Sequence, residues 1–241
     1  MKRIFRLLFA LACGWANLAS AGEPLIAGVI EAEPWLIRND DQLTGLIPRF
    51  FAELAKRANV QIRIVAEPVP RQIADLSHGQ IDLIVVSGPR AFENMIDLGE
   101  IGPVDLVAVA PPDHAFAKLS ELAGKRVGTP RGGGDFDELT ARLKFERYTV
   151  ANQQSAILML RDGRLDAIVG VPLAILWNLK QLGLPRGAIG SFIPIWSGTT
   201  HLWARSGLAA TPGLIKSLDA AAADIRRDGT LLRMMQDYVV N

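Results

Sequence analysis

The chain has few of the residues that thiol, metal or nucleophilic chemistry needs. It contains a single cysteine, Cys13, and 3 histidines. Those histidines, at positions 78, 114 and 201, do not share a metal-binding spacing such as H-x-x-x-H. The G-x-S-x-G elbow of a serine hydrolase is missing as well. We therefore expect a protein that is not an enzyme and that has no metal site and no cofactor.

Long apolar runs are scarce too, and the first one reads as an export signal. A basic start at Met1–Arg3 precedes the apolar stretch 7–12, and small residues at Ala19-Ser20-Ala21 follow. This order is typical of a secretory signal cleaved after Ala21, and the stretch is shorter than the ~20 residues of a membrane span. We expect residues 1–21 to be removed and the protein to be periplasmic. Lipidation at Cys13 is the alternative, with a poor lipobox.

The chain has no excess of either charge. It contains 26 basic and 25 acidic residues, and the expected signal takes Lys2, Arg3 and Arg6. No block of lysine or arginine recurs afterwards, which argues against a nucleic-acid partner. We expect a soluble monomer stabilised by hydrophobic cores, since the mature chain has no cysteine for a disulfide.

The order of elements in the mature chain occurs twice. Hydrophobic periodicity predicts β-α-β-α-β in both halves. The closest echo is Gly79-Gln80-Ile81-Asp82-Leu83-Ile84-Val85 against Gly163-Arg164-Leu165-Asp166-Ala167-Ile168-Val169. Two such units predict an α/β protein with two Rossmann-like lobes, each with a parallel sheet and helices on its faces.

Two further strand-like stretches, 104–110 and 201–204, lie between and after the repeated units. We interpret them as two segments that cross between the lobes and form a hinge. The predicted organisation is a first lobe of residues 22–108 plus 198–241 and a second lobe of residues 109–197. We expect two separate sheets and not one continuous sheet through both halves.

These features resemble the extracellular solute-binding proteins of family 3, which have the type II periplasmic-binding fold. The resemblance lies in Ala32-Glu33-Pro34-Trp35 with Leu43-Thr44-Gly45, in the repeated segments at 76–84 and 160–168, and in two further stretches, Leu122–Gly128 and Asp228–Leu231. It implies capture of a small polar ligand between two lobes, for uptake through an ABC-type membrane permease.

Two departures from the family bear on the ligand. Members that bind α-amino acids usually have acidic residues early in the first helix and after the "DA" strand of the second lobe. This chain has Pro48-Arg49 and Gly170-Val171 there. A buried ammonium without a partner costs several kcal/mol. The resemblance therefore implies an anionic or neutral polar solute in preference to a standard amino acid.

The candidate site follows from the rule that ligands bind beyond the carboxyl ends of parallel strands. That rule selects four loops, at 31–35, 87–90, 130–135 and 170–172. From these loops and the helix start at Arg71 we select Glu33, Trp35, Arg71, Ser87, Gly88, Arg90, Arg131, Gly132, Gly133, Asp135 and Gly170.

Each candidate has a binding and a structural interpretation. Arg90 is the first choice for an anion clamp, since a guanidinium matches a carboxylate fork, but it also fits a surface position beside a turn. Arg71 is a second basic candidate or the partner of a nearby carboxylate. Trp35 either stacks on the ligand or packs under its loop, and Glu33 either pairs with a cationic group or is solvated.

The glycine loop at 132–134 precedes a helix that we expect to open near Asp135. Its backbone N–H groups suit an anion, and the alternative is a flexible turn with Asp135 as the N-cap. Two alternatives to uptake remain open. One is a sensor that signals to a membrane receptor, and the other is a dehydratase or lytic enzyme with Glu33 or Asp135 as acid or base.

Overall fold

The computed structural model describes residues 23–40, 42–87, 95–114, 116–131 and 136–239. Helices and strands alternate through most of that part of the chain. The strands are β1 (Leu25–Val29), β2 (Ile37–Asn39), β3 (Gln42–Thr44), β4 (Ile62–Ala66), β5 (Leu83–Ser87), β6 (Met95–Val109), β7 (Arg126–Pro130), β8 (Glu146–Val150), β9 (Ala167–Gly170) and β10 (Ile193–Arg205). The helices are α1 (Leu46–Ala58), α2 (Val69–Ser77), α3 (Asp137–Leu143), α4 (Gln153–Arg161), α5 (Pro172–Gln181), α6 (Leu214–Arg227) and α7 (Thr230–Gln236).

The main sheet has the strand order β4-β1-β5-β10-β6-β9-β7-β8. The three strands at each edge of the sheet form equivalent parallel units. β1 lies between β4 and β5 in the first unit, and β7 lies between β8 and β9 in the second. The central strands β10 and β6 are antiparallel to each other and to their outer neighbours. The predicted α/β class with two parallel units is therefore confirmed.

The expectation of two separate sheets is wrong, because the crossing strands are longer than predicted. β6 and β10 pair with each other from Met95↔Arg205 to Ala108↔Ile193. Each also pairs with a parallel unit, so the hydrogen-bonded ladder is continuous. Sequence periodicity found only the ends of these strands, because Gly99, Gly102 and Pro103 interrupt the apolar pattern of β6.

The hydrophobic core is divided between the two parallel units. In the first unit, one face packs against α1, α6 and α7, and the opposite face packs against α2 with Trp203. In the second unit, α4 and α5 cover one face, and α3 covers the other. Each unit therefore has helices on both faces, and apolar side chains from both sides of its strands are buried.

The sequence echo has a structural counterpart in two aspartates. Asp82 accepts a hydrogen bond from Ile26 N at 2.7 Å and forms an ion pair with Arg205. Asp166 accepts one from Arg126 N at 2.8 Å and pairs with the same residue's guanidinium. Each carboxylate thus joins the start of its own strand to the first strand of its unit, which is a structural role in both halves.

Several local features differ from the sequence interpretation. The segment between Pro34 and Gly45, for which no strand was predicted, contains the hairpin β2–β3. The N-cap of α3 is Phe136 and not Asp135, because the helix starts at Asp137. The helix α5 has no clear apolar stripe and was not predicted. No helix among the described residues is long and apolar enough to cross a membrane.

Candidate functional site

The carboxyl ends of the two parallel units face each other across a gap, which the strands β6 and β10 cross in the part of the chain that the structure describes. β5 ends at Ser87, which pairs with Thr200, and Thr200 pairs with Gly102 of β6. β9 ends at Gly170, which pairs with Val107 of β6. Because β9 runs antiparallel to β6 and β5 runs parallel to it, the two strand ends point towards each other. The five residue steps from Gly102 to Val107 separate them by about 16 Å along the strand.

The loop after β1 is fixed to the start of α1. Leu46 N donates to Pro34 O at 2.9 Å, and Ile47 N donates to Trp35 O at 3.1 Å. Gly45 permits this approach, since a Cβ there would lie 2.8 Å from both carbonyl oxygens, and its φ is +116°. The half-buried Trp35 packs against the core of the first unit. The first turn of α1 therefore has its backbone donors occupied by the loop that carries Glu33.

A contact between the two units involves Glu33. Trp177 Nε1, on α5, donates to Glu33 Oε2 at 3.3 Å. The same indole packs edge-on against Tyr238, with ring centroids 5.3 Å apart. Leu173, in the first turn of α5, is buried in the core of the first unit. The end of β9 and the start of α5 thus form the wall of the second unit that lies against the first.

Two of the predicted residues carry polar side chains at the facing strand ends. Ser87 is exposed at the end of β5. Arg131 follows β7, is exposed, and its backbone N donates to Val150 O at 2.9 Å. The Arg131 guanidinium makes no ion pair with any residue that the structure describes. A free guanidinium at a strand end is suited to an anionic ligand.

Arg71 lies in the first turn of α2 and is exposed. Its Nε donates to Asp75 Oδ2 at 3.2 Å and is 3.9 Å from Glu67 Oε1. Its guanidinium therefore has two carboxylate partners, Asp75 on the same helix and Glu67 just before that helix. Five other predicted residues lie outside the described part of the chain: Gly88, Arg90, Gly132, Gly133 and Asp135.

The sequence interpretation missed Gln153, the first residue of α4. Its side chain lies against Gly170, where a Cβ would be 2.4 Å from the glutamine Oε1 and 3.2 Å from its Nε2. Gln153 is only 7% exposed, and its Nε2 is buried with no hydrogen-bond partner in the described part of the chain. The strand-end rule considers the loop directly after a strand, so a glutamine in the first turn of the next helix was not selected.

Glu67, directly after β4, was also missed. Burial raises the pKa of its carboxyl, and the neighbouring Asp75 raises the pKa further. Its Oε2 is buried and has no hydrogen-bond partner within the ranges that the structure describes. Its place at a strand end, followed by Pro68, is the sequence signal that would have identified it.

A cavity of about 420 Å³ lies between β6 and the C-terminal helices, and its lining includes Gly102, which is level with the end of β5. Its lining is mostly apolar and includes Ile101, Arg226 and Leu231. Within the described ranges, no group of three or more histidine, cysteine, aspartate or glutamate residues could hold a metal ion.

Comparison with solved structures identifies the fold. The GluR0 ligand-binding core, in complex with L-glutamate, is 13% identical, with a TM-score of 0.77 over 91% of this chain and 100% of that chain. This is the type II periplasmic-binding fold. A histidine kinase sensor domain with similarity to periplasmic binding proteins has 15% identity and a TM-score of 0.73, covering 90% of this chain and 96% of that one.

A domain from a transporter has the same fold. The second substrate-binding domain of a putative amino acid ABC transporter from Streptococcus pneumoniae has 21% identity and a TM-score of 0.63, covering 90% of this chain and all of that chain. The family model of the LysR substrate binding domain matches residues 39–158. The chain is thus similar in fold to ligand-binding domains of transporters and sensors. No curated protein sequence matches the chain.

Proposed function

We propose that this protein is a non-enzymatic periplasmic solute-binding protein that captures a small polar, preferably anionic, solute between its two lobes for uptake. The observation that supports this function is the pair of opposed strand ends, bridged by β6 and β10. In open parallel sheets, ligands bind beyond these ends. A gap bounded by two such ends and spanned by two strands allows one lobe to close over a small molecule.

The polarity of the site favours an anion. Arg131 offers a guanidinium that no described carboxylate engages. At the positions where amino-acid binders of the family have acidic residues, this chain has Pro48-Arg49 and Gly170-Val171. Arg49 already has a partner, since it forms an ion pair with Asp237 at 2.8 Å. Of the carboxylates near the strand ends, Glu31 pairs with Arg38, and Glu33 accepts from Trp177.

The ligand class is tested by thermal denaturation of the mature protein with a panel of small carboxylic acids, α-amino acids, amines and sugars. The expected result is a raised Tm with one or more carboxylic acids. At a hundredfold excess over Kd, binding adds about 2.7 kcal/mol to the free energy of unfolding. The best compound is then titrated by calorimetry into wild type, Arg131→Ala and, from the sequence interpretation, Arg90→Ala. Lys118→Ala, another cationic surface position, is the control.

Two results would count against this assignment. Tight binding of an ordinary α-amino acid that is lost in Glu33→Gln would place an ammonium site at Glu33 and contradict the preference for an anion. A protein whose Tm no compound in the panel raises would contradict solute binding itself. Delivery to a permease, and not to a receptor, is tested by whether deletion of the gene abolishes uptake of the identified solute.

A further inference from the structure

We propose that Gln153 is a ligand-binding residue of the second lobe, whose side-chain amide donates a hydrogen bond to an acceptor oxygen of the bound solute. This inference rests on the proposed function and assigns one polar contact within that site. Gln153 and the glycine beside it, Gly170, together form the subsite. The class of group that it recognises is a carboxylate or carbonyl oxygen.

Leaving the buried side-chain amide of Gln153 without a hydrogen-bond partner costs free energy. Buried amide donors in proteins nearly always have a hydrogen-bond partner, because an unsatisfied one loses its contact with water and gains nothing. Gln153 Nε2 has no hydrogen-bond partner among the described residues, although the residue is only 7% exposed. An isosteric apolar residue would avoid that cost. A buried donor of this kind fits a position where a bound molecule supplies the acceptor.

The amide of Gln153 lies next to the end of a strand of the second unit. Gln153 begins α4, and its side chain reaches back to Gly170, the last residue of β9. Gly170 lies at the facing end of the second parallel unit, next to the first turn of α5, which packs against the first lobe. The amide therefore lies beside the strand end at which the gap between the lobes begins.

Gln72 is the other buried glutamine of the described chain and allows a direct comparison. Gln72 also lies against a strand glycine, with its Cγ 3.0 Å from where a Cβ of Gly28 would be. Its Nε2 donates to Glu67 O at 2.7 Å, so its amide is satisfied within the protein. The two buried glutamines thus differ in hydrogen bonding. Gln72 Nε2 has an acceptor, and Gln153 Nε2 has none among the described residues.

Gly170 belongs to the same subsite because any larger residue would displace the amide. A Cβ at that position would lie 2.4 Å from Gln153 Oε1, which is closer than real contacts allow. The alanine side chain would therefore push the amide away from its place. Gly170→Ala is consequently a second variant that alters the subsite without removing the glutamine.

The experiment uses the full mature protein and one probe, the acid that gives the largest rise in Tm among acetate, lactate, succinate, malate and citrate. Its Kd is measured by calorimetry for wild type, Gln153→Met, Gln153→Glu and Gly170→Ala. The control is Gln154→Met, an exposed neighbour on the same helix. Loss of one hydrogen bond to a charged acceptor weakens binding by roughly 10- to 100-fold. We expect that loss in Gln153→Met, a larger one in Gln153→Glu, and none in Gln154→Met.

The ligand-free Tm provides a second readout that does not depend on the probe. Gln153→Met should leave it unchanged or raise it, because the variant removes an unsatisfied donor. Gln72→Met should lower it, because the variant removes a satisfied one. Binding by Gln153→Met within twofold of wild type would overturn this inference and leave the proposed function standing. If none of the five acids nor the wider panel binds wild type, the proposed function fails, and this inference fails with it.

Discussion

At the residue scale, the most informative side chains are two that the sequence did not single out, Gln153 and Glu67. Both are polar, and the sequence pattern gives no reason to bury them. Sequence rules identify ligand residues from the loops that follow strands, and those rules selected Glu33, Ser87 and Arg131. In the structure these residues lie in such loops or at a strand end, and their role in binding stays a prediction. They cannot identify a donor or carboxylate whose burial depends on the packing of a neighbouring helix.

Glu67 leads to a prediction about pH. Burial and Asp75 raise its pKa in the folded protein, so the folded state binds this proton more tightly than the unfolded state does. Ionisation therefore lowers stability as pH rises through the folded pKa. Glu67→Gln should raise Tm at pH 7.5, and the difference should disappear at pH 4, where the wild-type carboxyl is protonated.

The measurement is thermal unfolding at both pH values, with Glu146→Gln as the exposed control. Glu146 lies on β8 and should show little difference at either pH. A Glu67→Gln variant that is less stable than wild type at pH 7.5 would show that the ionised carboxylate is stabilising in the fold.

Gly45 leads to a second prediction at this scale. A Cβ at this position would lie 2.8 Å from the carbonyl oxygens of Pro34 and Trp35, and the backbone cannot yield as a side chain does. Its φ of +116° adds strain for any other residue. Gly45→Ala should lower the free energy of unfolding by at least about 2 kcal/mol in urea titrations.

Gly183 is the matched control, because its φ is +65° and no heavy atom lies within 4 Å of the position of a Cβ. Gly183→Ala should cost only the conformational part, about 1 kcal/mol. Equal losses in the two variants would mean that the carbonyl contacts at Gly45 do not matter.

At the element scale, most helices and strands were predictable, and the exceptions have physical causes. The crossing strands were predicted as short pieces because glycine and proline interrupt β6 and because register shifts occur in its pairing with β10. The helix α5 was missed because it is apolar on most sides and is buried between the two lobes, so it lacks the stripe that marks a surface helix.

The junction of α6 and α7 with α1 gives a prediction at this scale. Asp228 accepts a hydrogen bond from Thr230 N at 2.9 Å and from Arg57 Nη1, on α1, at 2.7 Å. Hydrogen bonding to Thr230 and then to Arg57 lowers the pKa of Asp228 to about 2. A lowered folded pKa contributes stability above the ordinary pKa, and that contribution is lost as pH falls towards 2.

Asp228→Asn should therefore be less stable than wild type at pH 6, and the two proteins should converge between about pH 4 and pH 2. Urea unfolding at a series of pH values measures this difference, with the exposed Asp219→Asn of α6 as the control. A penalty that stays constant down to pH 2 would show that charge on Asp228 is not its source.

At the scale of the whole molecule, the duplicated sequence predicted the arrangement that positions the site. Two parallel units with equivalent aspartates, Asp82 and Asp166, are joined so that their strand ends oppose each other. The pairing of β5 and β9 with the crossing strands could not be predicted from the sequence, because tertiary structure fixes both the direction and the register of that pairing. That register is what makes the gap between Ser87 and Gly170 a candidate binding site.

The direct test of this account is to map the bound solute on the protein by amide chemical shifts during titration of the best carboxylic acid. The account predicts shifts at both strand ends, including Ser87 of the first lobe and Arg131, Gln153 and Gly170 of the second. Shifts confined to one lobe would contradict it. So would shifts confined to the cavity lined by Ile101, Arg226 and Leu231.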